Sequence, residues 1–438
     1  MRIQSQAKAT FVTKVLAAAT SYGFAILLAR VMTVEGFGQV AFFLNAAVLL
    51  SVLGACGQQI AMVRFVPPLL AWGDRKGALP GFVGLAYCKA ILGAACLYVI
   101  AVALTILGVL PHLDPVLAVI GFALIPAIGW IDIQSHFARG FQRLPLSIVP
   151  KEILWRGISA LLILGIVLMS GRTVLDAPGV LALLLAVLVL VTLAQGALLL
   201  RLTGFRPRFR WGYGRDEPAE WQATTVPFWI TSVSNIFLTN ADVMAVALLI
   251  GPAEAGVYFA ANRLAQLLAF FVISQNIVIG PQLARAWAPG DPAAVAAILR
   301  RTSRATTLPT LALGAMMLAG APWLLGLFGP DFAVATASLQ VLVLASMINA
   351  ATGPAEIALN MCGHDRAAMR VSAVNLGVAV LALGLGAVLG GTFGVALGVL
   401  AATVARKAMY WSVLRRVMGL RSDVFAPDLT RADALGQA

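Results

Sequence analysis

Apolar residues in this chain of 438 gather into long stretches broken by short polar segments. A helix that crosses a bilayer needs about 20 mostly apolar residues. Twelve stretches meet that length: 11–33, 39–62, 81–108, 116–138, 148–169, 177–200, 223–250, 254–282, 304–328, 333–361, 367–390 and 394–414. The fifth opens among Lys151, Glu152 and Arg156, and the last two are separated only by Gly391-Thr392-Phe393. The first runs past Lys14 to about Met32, longer than the roughly 7–15 apolar residues of a cleaved signal, so it is expected to remain as a membrane helix. Together the stretches fill most of the chain and leave no room for a soluble domain. The expected fold is an all-α polytopic membrane protein of twelve transmembrane helices.

Loop charges set the orientation. With the N-terminus inside, 25 of the 31 basic residues fall on inner segments, and the outer loops hold one, Arg172. Basic residues concentrate on the cytoplasmic side of membrane proteins, so both termini are expected there. The halves also look alike. Glu35-Gly36-Phe37-Gly38 follows the first stretch as Glu254-Ala255-Gly256 follows the seventh. Gly140-Phe141-Gln142-Arg143 shares Gly-x-x-Arg with Gly363-His364-Asp365-Arg366. The offsets, 218 and 223 residues, are about half the chain. Duplication of a six-helix unit predicts two parallel repeats around a central cavity, an arrangement that transporters use. The expected division is an N-terminal lobe at 1–200, a basic connector at 201–222, a C-terminal lobe at 223–415 and a cytoplasmic tail at 416–438.

Composition agrees with that pattern. Hydrophobic residues make up 61% of the chain and charged ones 11%, against roughly 25% charged in a soluble domain. The net charge of +13 is spread thinly between apolar runs instead of clustering on a soluble face, so nucleic acid is not an expected partner. Cys56, Cys88, Cys96 and Cys362 lie within or at the end of apolar segments and read as packing residues. His112, His136 and His364 are scattered over different loops and depths, so neither a metal nor a cofactor is expected.

Charges at membrane depth need a partner or a wet cavity, because an ionised side chain at mid-bilayer costs about 2.5–3.5 kcal/mol on insertion scales. Asp242 lies nine residues before Gly251, and Arg263 nine residues after Glu254, on the two arms of one tight hairpin. Their depths match. Ser232, Asn235, Thr239 and Asp242 share one helical face, and Asn262, Gln266 and Asn276 form a second stripe with Arg263 at its border. Two readings stay open here: Arg263 binds a phosphate with Asp242 as counter-ion, or the two form a structural ion pair. A second set, Lys89, Asp132 and Arg156, lies in the inner half of the N-terminal lobe and suits a vestibule for an anionic headgroup. Pairing of Lys89 with Asp132 and snorkelling of Arg156 are its structural alternatives. Glu356 occupies nearly the place in the tenth stretch that Asp132 has in the fourth.

The passages "VRFVPP" (63–68), "GPAEAGVYFAANRLAQLL" (251–268), "LFGPDF" (327–332), "ATGPAEIALNMCGHDR" (351–366) and "GTFGVALGVLAATVARK" (391–407) carry a family resemblance. The chain resembles the polysaccharide-synthesis branch of the multidrug/oligosaccharidyl-lipid/polysaccharide flippase superfamily, over nearly its whole length. It departs at Gly38-Gln39-Val40, where a tyrosine often follows the glycine. The resemblance implies a flippase of the bacterial cytoplasmic (inner) membrane. Such a protein moves polyprenyl-diphosphate-linked oligosaccharide to the periplasmic leaflet by alternating access, for O-antigen (lipopolysaccharide) or exopolysaccharide synthesis. Lipid-linked oligosaccharide and membrane lipids are the implied partners, with polymerase and chain-length proteins of the same pathway beside them. A multidrug exporter of the same fold is the alternative, although five basic against three acidic residues at depth suit an anion better. A polymerase or glycosyltransferase would need catalytic residues in large outer loops; here Asp114 and Asp176 stand alone, and no enzyme is expected.

Overall fold

The computed structural model describes residues 2–71, 78–110, 113–171, 174–204, 219–287 and 291–425. Most of the expected connector, Arg75, Lys76, His112, Arg172 and the tail beyond residue 425 lie outside these residues. Two units make up the chain, residues 1–256 and 257–438.

The first unit holds α1 (Arg2–Val31), α2 (Val34–Gly54), α3 (Gln58–Ala71), α4 (Ala78–Ile106), α5 (Pro115–Phe122), α6 (Leu124–Gly140) and α7 (Leu144–Ile148). A π-helical turn (Val149–Leu154) leads into α8 (Trp155–Ser170), followed by α9 (Ala177–Thr203) and α10 (Ala219–Leu249). Helix α11 (Pro252–Trp287) starts at the unit's end and continues into the second, with α12 (Pro292–Gly326), a 3-10 turn (Pro330–Ala335), α13 (Thr336–Ala351), α14 (Ala355–Met361) and α15 (Asp365–Met418). The seventh predicted span, α10, packs in the first unit, where Trp229 Nε1 donates to the Leu53 carbonyl at 3.2 Å.

Among the described residues, eleven helices are long and apolar enough to cross a membrane. The last of them, α15, contains the eleventh and twelfth predicted spans. Its 54 residues are interrupted at Gly390 and at Gly391, whose φ of 57° is left-handed. Beyond that point the chain doubles back: Ser372 Oγ and Tyr410 Oη lie 2.7 Å apart, so the two arms run antiparallel. Small residues let the arms meet backbone to backbone, which is how helices associate where lipid is as apolar as the side chains. A Cβ on Gly394 would sit 2.0 Å from the Gly386 carbonyl oxygen, and one on Gly398 2.5 Å from that of Ala382.

Three other predicted spans are broken, among them the fourth, at Ala123 between α5 and α6. The second ends at Gly54 and resumes at Gln58, with Cys56 (φ 47°) and Gly57 (φ 77°) both left-handed. The tenth stops at Ala351 and restarts at Ala355, because Pro354 has no N–H to continue the ladder. The fifth begins with α7 and the π turn, and Pro150 lies in that turn. Asp114 and Asp176, isolated in sequence, are helix caps: their carboxylates accept from Leu117 N (2.9 Å) and Gly179 N (3.1 Å).

The likeness of the halves has a local counterpart. Arg143 N donates to the Ala138 carbonyl past a left-handed Gln142, and His364 N donates to that of Leu359 past a left-handed Gly363. By geometry Gln142 therefore corresponds to Gly363, two positions off the Gly-x-x-Arg match.

The first arm of α15 carries an anomaly. Asn375 is fully buried, and neither atom of its amide has a hydrogen-bond partner among the described residues. An unpaired buried polar group costs about 1–3 kcal/mol. Asn375→Leu is expected to hold or raise the thermal midpoint in detergent; a fall of more than about 5 °C would contradict that expectation.

Candidate functional site

Charged side chains at membrane depth concentrate where α1, α6, the π turn and α8 meet. Asp132, in the middle of α6, is buried. Its carboxylate accepts from Gln59 Nε2 at 3.0 Å, from the first turn of α3, and from Lys151 Nζ in the π turn. His136, one turn further along α6, places Nδ1 2.8 Å from the Asp132 carbonyl oxygen and 3.7 Å from its carboxylate. The break after α2 is what allows the Gln59 contact, since it starts α3 beside α6.

The π turn presents Lys151 and Glu152 to two different partners. Lys151 goes to Asp132, while Glu152 accepts from Arg156 Nη1 at 3.1 Å. The Arg156 guanidinium also lies over the Trp155 ring, 5.0 Å from its centroid, which adds a cation–π contact. Lys14 of α1 stands in the same electrostatic neighbourhood as Glu152, Arg139 and Lys151. Arg139 is oriented by Ser147, whose Oγ accepts from its Nε at 2.6 Å. Four cations, Lys14, Arg139, Lys151 and Arg156, thus face two carboxylates, Asp132 and Glu152. The surplus is positive; Lys14 and Arg139 lie beside the span ends at residues 12 and 140, while Asp132 and Arg156 lie deeper in theirs.

A buried amide ladder stiffens the wall behind these charges. Gln195 of α9 donates to the Leu146 carbonyl at 2.7 Å and to Ser135 Oγ at 3.4 Å. Gln134, with its amide turned to suit its neighbours, accepts from Trp130 Nε1 at 2.8 Å and donates to the Thr192 carbonyl at 3.0 Å. Ionic groups held this way keep one geometry, because each lone pair left open in a dry site would be costly.

Of the sequence candidates, the structure brings Asp132 and Arg156 into one cluster. Matched depth suggests Lys89 as the cation on Asp132; the structure supplies Lys151. Lys89 itself is half-buried on α4. Lys151 lies where the fifth stretch opens among charges, and the π turn carries it to Asp132. Asp242 is buried in the first unit, with Oδ1 accepting from Val243 N at 2.8 Å, and half-buried Asn235 lies two turns earlier on α10.

Arg263 belongs to the second unit. Its guanidinium stacks over Phe259, 4.6 Å from the ring centroid, and donates to Gln266 Oε1 at 3.1 Å. Gln266 Nε2 in turn donates to Asn262 Oδ1 at 2.5 Å, so the three polar residues form one ladder on α11. The side chain of Asn276 lies outside the described residues. Arg406 reaches Glu356 at 4.0 Å, and Lys407 donates to the Gly353 carbonyl at 3.2 Å. Both belong to the 25 basic residues that the charge pattern places on inner segments, and the structure sets them within the second arm of α15.

Groups of three or more potential metal ligands do not occur among the described residues. No curated protein sequence matches the chain. Its fold is similar to the inward-facing conformation of a multidrug resistance MATE family transporter of the MOP superfamily, with a TM-score of 0.72 at 12% identity, over 92% of this chain and 96% of that one. It is also similar to the lipid II flippase MurJ in an inward closed conformation, with a TM-score of 0.73 at 12% identity, over 93% of this chain and 87% of that one. A Vibrio cholerae MATE transporter aligns over 94% of this chain and 98% of its own, at 14% identity and a TM-score of 0.60. These likenesses establish the fold of a multi-pass membrane transporter. Residues 7–287, more than half the chain, match the family described as polysaccharide biosynthesis protein. The chain belongs to that family of membrane proteins.

Proposed function

We propose that the protein is a flippase of the bacterial cytoplasmic membrane that carries a polyprenyl-diphosphate-linked oligosaccharide from the cytoplasmic to the periplasmic leaflet. The observation that carries this reading is the positive surplus of Lys14, Arg139, Lys151 and Arg156 over Asp132 and Glu152, which runs from the span ends at residues 12 and 140 into the spans. Such a surplus suits the charge of a lipid diphosphate. Lysine and arginine suit phosphate, and the low dielectric around them strengthens the attraction. A glycan cannot cross lipid unaided because each hydroxyl would lose its water without replacement. The Asn262–Gln266–Arg263 ladder and the Asn235 and Asp242 face of α10 supply alternative partners for hydroxyls or phosphate. Access alternating between the two leaflets, with the tail left in lipid, is the matching mechanism. Both termini lie in the cytoplasm in this reading, and the enzymes that lengthen the glycan act on the far side.

A multidrug exporter of this fold would favour acidic residues for cationic drugs; here the basic surplus argues for an anion. The test is a knockout strain without a redundant flippase, in which a membrane-impermeant glycan-modifying probe is applied to cells and to inverted vesicles. Lipid-linked glycan should accumulate on the cytoplasmic face, and reintroducing the gene should clear it. An unchanged leaflet distribution would refute the proposal.

A further inference from the structure

A helix that ends leaves four carbonyls without a partner. Where α13 stops at Ala351 and the chain passes Thr352-Gly353-Pro354, the carbonyls of Ala350, Ala351, Thr352 and Gly353 fall outside its i to i−4 ladder, and each has a donor, with Gly353 N itself serving Ala350 at 3.2 Å. Thr307 Oγ1 of α12 serves Ala350 at 3.2 Å, and Lys407 Nζ of α15 serves Gly353 at 3.2 Å. The other two are served from the short segment that follows α15. Val424 N donates to Ala351 at 3.1 Å, and Ser422 Oγ donates to Thr352 at 2.9 Å.

That segment is seated, not merely adjacent. It starts at Gly419, where a left-handed φ of 66° ends α15 and turns the chain back. Leu420 is buried in the apolar cluster formed with Leu283, Leu299, Ala355 and Leu414. Ser422 is fully buried, and its carbonyl accepts from Ser303 Oγ of α12. Only glycine fits at position 353: a Cβ there would lie 1.8 Å from the Ser422 carbonyl oxygen, and its φ of 75° is left-handed. Asp423 then fastens the far side. It accepts from Arg421 Nε at 3.0 Å and Nη2 at 3.1 Å, from Trp411 Nε1 at 3.1 Å and from Phe425 N at 3.1 Å.

We propose that residues 419–425 are a latch that completes the broken end of α13 and holds the bend at Thr352–Pro354 in one arrangement. A break of this kind is where a transport helix bends, because no backbone ladder resists it. With the latch seated, bending exposes two carbonyls that lose their donors. With the latch withdrawn, Thr307, Lys407 and the local bonds of Thr352 and Gly353 remain, and the carbonyls of Ala351 and Thr352 lose Val424 N and Ser422 Oγ as donors. The device is independent of what the protein carries.

The test is hydrogen–deuterium exchange on the full chain in lipid nanodiscs, following peptides that span residues 349–362 against those of residues 380–400. Ser422→Ala is expected to raise exchange at 349–362 about fivefold, and Ser422→Ala with Asp423→Ala about tenfold or more, while 380–400 stays unchanged. Unchanged exchange at 349–362 in the double variant would overturn the latch. So would a rise of equal size in both regions, which would mean the segment only adds general stability. Should the double variant fail to accumulate, Asp423→Asn carries the same expectation at about threefold, with the same outcomes for and against.

Discussion

Lys151→Ala is expected to abolish glycan export and to destabilise the protein by about 2–3 kcal/mol. The carboxylate of Asp132 is 6% exposed and loses its lysine partner, retaining Gln59 and the edge of His136. Breaking a fully buried pair costs about 3–5 kcal/mol. Lys151 is 30% exposed, so water softens the loss toward the lower end. Lys151→Arg is expected to keep both stability and most export, since the charge persists at the same place. The double variant Lys151→Ala with Asp132→Ala separates the two roles. Thermal stability should return toward that of the parent, because the uncompensated carboxylate has gone, while export stays lost, because the cation offered to the diphosphate has gone too. Recovery of export in the double variant would mean that Lys151 serves only to hold Asp132. Midpoints from thermal scans in detergent and glycan display on cells give both readings.

The second large effect is steric. Gly394→Ala is expected to prevent accumulation of folded protein, since the added methyl would sit 2.0 Å from the Gly386 carbonyl oxygen and 2.9 Å from its carbon. The obstacle is backbone on a facing helix, which cannot rotate away as a side chain can. Overpacking ordinarily costs about 1–3 kcal/mol and more where the surroundings are rigid. Gly384→Ala is the control: nothing lies within 4 Å of a Cβ there, and alanine favours helix by about 1 kcal/mol over glycine. Size-exclusion profiles of solubilised protein would show a monodisperse peak for Gly384→Ala and little or none for Gly394→Ala. A normal peak for Gly394→Ala would mean that the two arms of α15 do not meet at these glycines.

Much of this architecture can be read along the chain because lipid imposes one rule on every span: apolar outside, backbone satisfied within. The twelve stretches all reappear as helix, and the Gly391 interruption marks where two of them join. The breaks were less visible. Pro354 announces the one in the tenth span, whereas the one at Cys56-Gly57 has no proline, and a lone glycine inside an apolar run does not by itself reveal a left-handed turn. The site was half legible. Asp132 and Arg156 stood out as charges inside apolar runs. Lys151 did not, because positive-inside counting assigns a lysine at the start of a span to the loop before it. Arg406 and Lys407 were hidden in the opposite way, because the same counting assigns cations toward the end of a span to the segment after it. Partners across helices, such as Gln59 for Asp132 or Gln195 for Leu146, depend on packing that periodicity cannot specify. The resemblance identified from 251–268 and 351–366 located the family, but residues that decide substrate are carried by contacts between spans.

The π turn at Val149–Leu154 also sets a phase. It holds one residue more than an α-helix would use over the same rise, and one residue is worth about 100° of rotation. The inward face of α8, made of Trp155, Ser159 and Ile163, points where it does because of that extra residue. Substitutions within the turn alter chemistry locally, whereas removal of a single residue turns the whole of α8 like a key and carries Arg156 off its neighbours. Relatives aligned to this chain should therefore vary in letters between positions 149 and 154 but keep the number of residues. A gap there would mark a transporter whose fifth span faces its site with a different side.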